Sequence, residues 1–145
     1  MTLQVSTGLR NKMLDTGSLK ASIALGAIKI YTGAPPATAD AAVTGTLLST
    51  ITVSAGATGL SLGTAASGSI PKAVEVWSGV NAASGTAGYF RYVVLATDDG
   101  TLSTTQPRLQ GTCGTSGADL NMSSVNLTAA ATQTVDAGSI TLPTY

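Results

Sequence analysis

Gly88-Tyr89-Phe90-Arg91-Tyr92-Val93-Val94-Leu95-Ala96 is the stretch on which the reading of this chain turns. In an extended backbone, Tyr89, Arg91, Val93 and Leu95 share one face, and Phe90, Tyr92 and Val94 share the other. Both faces are largely apolar, which is how a strand covered on two sides reads, so the segment is expected at the centre of a sheet. Asp98-Asp99-Gly100, just beyond it, is a turn signal.

Working outward, Ala27 to Tyr31, Leu47 to Val53, which is rich in β-branched residues, and Gly59 to Leu62 read as short strands. Ala73 to Ser78 alternates, with Val74 and Val76 on one face and Glu75 and Trp77 on the other. Pro107 to Cys113, Leu120 to Leu127 and Val135 to Leu142 read as weaker strands. Pro35-Pro36 and the residues to Ala42 form an extended loop, because proline offers no ladder donor. About eight strands at roughly ten-residue spacing predict a mainly β protein, an antiparallel β-sandwich of jelly-roll-like type.

Only the first segment reads as helical. Ser6 or Thr7 is placed to cap a helix carrying Leu9, Met13 and Leu14, and Leu19, Ile23 and Leu25 form a second short stripe with Gly26 as a C-cap. The 145 residues therefore read as one domain. Residues 1–26 are an N-terminal arm or helical segment packed on or extending from the body, and residues 27–145 are the β-sandwich body.

Charged residues are 10% of the chain and aromatics 4%, with formal net charge +0. A typical soluble domain carries roughly 25% charged residues. Its surface must instead be Ser, Thr, Gly, Ala and Asn, which costs little to desolvate and repels other surfaces weakly. The cations Arg10, Lys12, Lys20, Lys29, Lys72, Arg91 and Arg108 are scattered, so no nucleic-acid footprint is expected. No apolar run is long enough for a membrane helix and the N-terminus does not read as a signal peptide, so synthesis in the cytoplasm is expected.

The chain has no His, which removes the commonest general base, metal ligand and activator of a nucleophile. The single Cys113 excludes an internal disulfide and has no base motif beside it. Asp98 and Asp99 are better explained by a turn than by a calcium loop, whose ligand spacing is missing. Gly56-Ala57-Thr58-Gly59 lacks the Lys of a phosphate loop. Trp77, Tyr89 and Tyr92 are better read as core than as a sugar-stacking platform. No catalytic residue, metal site or cofactor is expected.

The blocks from Leu9 to Lys20, from Ile28 to Ala42, Gly45-Thr46-Leu47-Leu48 and Ala73 to Gly79 resemble small virion proteins of tailed bacteriophages. Within that group the chain resembles the capsid cement (decoration) proteins of short-tailed phages of the Bordetella type. The resemblance implies a jelly-roll-like fold and binding to the outside of the major capsid protein shell, bridging neighbouring capsomers, as a homodimer or higher homo-oligomer. It also implies a place on the virion exterior. A tail, fibre or head–tail part is the alternative, followed by a carbohydrate-binding adhesive module. As partner contacts we expect Leu3, Val5 and Leu9, which precede the β body, with Arg10, Lys12 and Lys20 pairing with acidic shell residues.

Overall fold

A computed structural model describes residues 3–142 of the chain. In order, the elements are β1 (Gln4–Val5), α1 (Thr7–Asp15), α2 (Leu19–Ser22), β2 (Gly26–Thr32), β3 (Leu47–Val53), β4 (Ser69–Pro71), β5 (Trp77–Val80), β6 (Gly85–Val94), β7 (Arg108–Gly114), β8 (Leu120–Asn121), β9 (Asn126–Leu127), β10 (Thr132–Val135) and β11 (Ser139–Thr141). The protein is mainly β, with 40% of residues in strands and 9% in helices, and its architecture is that of an antiparallel β-sandwich with a short helical segment.

The main sheet runs β1-β7-β6-β2-β3-β5-β10, with β9 added to β6, β8 added to β7, and β4 and β11 forming a separate ribbon. Every pairing is antiparallel except β7 with β8. As its two apolar faces require, β6 is internal, pairing β2 on one side and β7 on the other. β3 serves two neighbours in succession: residues Leu47 to Ile51 pair with β2, whereas Thr52 and Val53 pair with β5. That handover carries the sheet from one half of the fold to the other. On the inner side Ile28, Ile30, Phe90, Tyr92 and Leu109 join Leu48, Ile51, Trp77, Leu127 and Val135 in one apolar cluster.

The helical segment belongs to the same body. Ser6 caps α1, its Oγ accepting from Leu9 N at 3.1 Å, and the same oxygen accepts from Arg108 N at 2.9 Å and donates to Gln106 O at 2.8 Å. Gln4 and Val5 pair with Gln110 and Leu109 of β7, and Leu9 is fully buried in the core. Gly26 does not end a helix: α2 stops at Ser22, Leu25 takes a left-handed turn (φ 54°), and Gly26 opens β2. A Cβ there would come within 2.1 Å of the Tyr92 ring, so the close approach demands glycine.

Other departures from the sequence pattern have local causes. Ala73 to Val76 is a bend, not a strand, because Lys72 Nζ donates to the carbonyls of Ala73 and Glu75, and the Glu75 carboxylate accepts from Ser61 N and Trp77 Nε1. Val74 and Val76 are left in solvent, and the strand begins only at Trp77. Leu60 and Leu62 make isolated bridges to Gly26 and Lys72 instead of a strand. Leu120 to Leu127 divides into β8 and β9, and the last expected strand becomes β10 and β11, which brings the count to about eleven.

The outer side of the central strands is polar and yet buried. Lys29, Arg91, Gln110 and Gln4 lie in register across four strands. The Pro-containing loop between β2 and β3 closes over them. Arg91 Nη1 donates to Ala41 O at 2.9 Å, Gln110 Nε2 to Pro36 O at 2.9 Å, and Arg108 to the carbonyls of Ala39, Asp40 and Thr101. Arg108 is balanced by Asp98, both side chains being wholly buried, and Arg91 shares both its Nε and Nη2 donors with Gln110 Oε1. The Tyr89 hydroxyl donates to Thr44 O and accepts from Thr44 N, while its ring stacks on Tyr31 at 5.1 Å. Burial, then the neighbouring Arg108, lowers the Arg91 pKa from its ordinary value.

Two predictions follow from this architecture. Asp98→Ala strands a buried guanidinium and should cost about 3–5 kcal/mol in denaturant unfolding, whereas Asp99→Ala, on the exposed side of the same turn, should cost far less. Leu9→Ala should cost about 2–5 kcal/mol as a core truncation, with an unchanged denaturant slope.

Candidate functional site

Chemistry-bearing groups are few and mostly committed to structure. Among the described residues, no three His, Cys, Asp or Glu side chains gather where a metal ion could be held. Asp98 faces Arg108, whereas Asp99 accepts from the Thr101 amide and hydroxyl, bonds that lower its pKa. The turn's two carboxylates thus have separate partners inside the chain. Trp77, Tyr89 and Tyr92 are at most 5% exposed and form no sugar-stacking platform. No helix among the described residues is long and apolar enough to cross a membrane.

The six residues expected as partner contacts fall into different places. Val5 and Arg10 come together in a groove of about 270 Å³ between β1, α1 and the loop segment Ala37 to Asp40. The Asp40 carboxylate fastens that loop to the helix start, accepting from Thr7 N at 2.8 Å and from Thr7 Oγ1 at 2.6 Å. Arg10 is exposed and donates to Thr7 Oγ1, so its guanidinium stands at the groove's open side. Lys12 is exposed on α1. Lys20 is exposed at a second groove, between α2 and the β4–β11 ribbon, where its Nζ donates to Gly63 O at 2.7 Å. Leu3 is half-buried at an apolar cleft on another part of the body. Leu9 corrects the expectation: with no exposed surface it packs inward and offers nothing to a partner.

The surface has features that the sequence pattern hid. Leu14, Leu25, Val74, Val76, Val80 and Leu102 are all more than half exposed, Val74 at 108%. Burial meanwhile removes charge from the outside, because Arg91, Arg108 and Asp98 are among the chain's few ionisable side chains. Large apolar side chains on a surface this poor in charge are candidates for contact with another protein.

Cys113 is half-buried on β7, and burial, reinforced by Asp119, pushes its thiol up to about 12 from an ordinary 9.0. The folded chain therefore holds this proton at a pH where the unfolded chain has released it. Its contribution to stability is complete below about pH 9 and is lost as pH rises toward 12. Burial drives Tyr31 the same way, from 10.0 to about 12. Stability should consequently fall through this alkaline range in pH-dependent denaturant titrations. Iodoacetamide should modify Cys113 at least about a hundredfold more slowly in the folded chain than in urea at pH 8.5.

Comparison of the chain with protein-family models, with curated proteins and with solved structures finds no match to any of them.

Proposed function

We propose that the protein is a non-enzymatic virion component, a capsid cement protein that binds the outside of a phage shell and bridges neighbouring capsomers. The observation that carries the docking role is the surface itself: Val74 and Val76 stand in solvent two residues apart, on a chain only 10% charged, and the charged neighbours Lys72 and Glu75 are already bonded within the chain. The phage shell as partner comes from the resemblance in the Leu9–Lys20, Ile28–Ala42 and Ala73–Gly79 blocks.

Such a role needs no reactive group, only a rigid surface complementary to a junction between shell subunits. A specific interface of ordinary size buries about 1,600 Å² in total. Contact with two subunits at once makes attachment multivalent. Binding the assembled shell in preference to free subunits stabilises the shell by mass action. The buried ion pair and the fastened loop suit such a part, because a preordered surface loses little entropy on docking.

Copy number per virion tests the reading. A count that matches the hexamer or two-fold positions of the lattice is expected, and a few copies per particle would assign the chain to the tail or a fibre instead. Heads lacking the protein should rupture at lower temperature than decorated heads; equal resistance would refute the stabilising role. Val74→Glu and Val76→Glu, both at exposed positions, should each weaken shell binding by about tenfold, or about 1.4 kcal/mol, with the thermal midpoint unchanged.

A further inference from the structure

Two buried side chains carry a polar atom with no hydrogen-bond partner among the described residues: Ser49 Oγ and Asn81 Oδ1. Ser49 is 0% exposed and Asn81 4%. Buried polar groups are nearly always bonded, so each orphaned atom calls for a reason. Here the two orphans belong to residues that face each other. Ser49, on β3, is bridged in antiparallel fashion to Asn81, the residue after the end of β5. Residues opposed in this way project to the same side of a sheet, with Cβ atoms about 4.5–5.5 Å apart.

The surroundings leave neither atom another choice. On its other side Ser49 is opposite Ile30, and Ile51 lies two residues along the same strand; both belong to the apolar cluster. Asn81 cannot turn its amide over, because Nδ2 donates to Thr128 O at 3.0 Å and the reverse placement would set two acceptors against each other. Its Oδ1 therefore stays directed away from that carbonyl and can only accept. The Asn81 main chain is held as well, its N–H donating to Ala131 O at 2.9 Å and its carbonyl accepting from Ala130 N at 2.8 Å.

An occupant that satisfies the pair must donate to Oδ1 and bond the Ser49 hydroxyl at the same time. A hydrocarbon group would leave both atoms unsatisfied. A hard cation would find two neutral oxygens and no carboxylate in this pair, well short of the oxygen shell it takes. Water meets the requirement, with two protons to donate and lone pairs to accept the serine proton. We infer that Ser49 Oγ and Asn81 Oδ1 together bind one internal water molecule, which joins β3 to the asparagine that holds the turn at residues 128–131. The inference rests on this pair alone and is independent of the shell-binding reading.

A high-resolution crystal structure of the whole chain tests it directly. One solvent peak is expected within hydrogen-bond distance of both atoms. A map with no such peak, or with a direct Ser49–Asn81 bond in its place, would overturn the inference. Oxygen-17 relaxation dispersion gives a second reading in solution, because it counts waters that stay bound far longer than surface waters. Ser49→Val, which removes the hydroxyl and fills its surroundings with methyl groups, should lower that count by one. An unchanged count in a folded Ser49→Val protein would also overturn it.

Discussion

The ion pair between Arg108 and Asp98 is the interaction on which the rest of the outer layer depends. Two wholly buried charges are tolerable only if each has its partner and the remaining donors are occupied. Arg108 meets that condition by donating to carbonyls of Ala39, Asp40 and Thr101, so neutralising the charge also fixes two loops. Its backbone N–H reaches Ser6, and that bond ties the first helix to the same strand. One residue thereby joins the N-terminal cap, the loop after β2 and the turn after β6. The geometry explains why the sheet's polar side is buried beneath loop backbone and not beneath a second sheet: carbonyl oxygens satisfy guanidinium and amide donors that apolar side chains could not.

Much of the fold was legible in the sequence. β2, β3, β6 and β7 stand where the β-branched and aromatic runs place them, and Ser6 caps the first helix as its position predicts. These features are local: a period of two, a capping hydroxyl, a proline pair. Ala73 to Ser78 shows where the rule fails. Its alternation is as regular as that of a strand, but Lys72 and Glu75 bind the backbone around them and bend it, so the pattern describes a surface hump. The polar row of Gln4, Lys29, Arg91 and Gln110, half-buried at the first two and buried at the last two, had no readable signal, because each partner lies on another strand and nothing periodic links them.

The exposure of the residues expected as contacts was legible in part. Arg10, Lys12 and Lys20 are exposed, as charged residues in a short helical segment usually are. Leu9 went the other way for the same reason that the helix exists, since its apolar side chain attaches α1 to the core. The exposed valines were hidden by a pattern that suggested burial. The proposed docking role needs shape and low charge but no motif, so no local pattern in the sequence marks the face that would perform it.

Ser6 and Arg108 are 102 residues apart along the chain, and the bond between them joins the first helix to a strand laid down late in synthesis. A contact of that span closes only after a large loss of chain entropy, which slows folding. While the chain is being made, β1 therefore has no partner strand until β7 has emerged. During that interval β2 and β3 can pair, but the polar side of their sheet and the loop after β2 lack Arg108. Folding of the outer layer is in this sense a terminal event, timed by translation, and a chain truncated before β7 would expose a half-covered sheet to any neighbour able to pair with it.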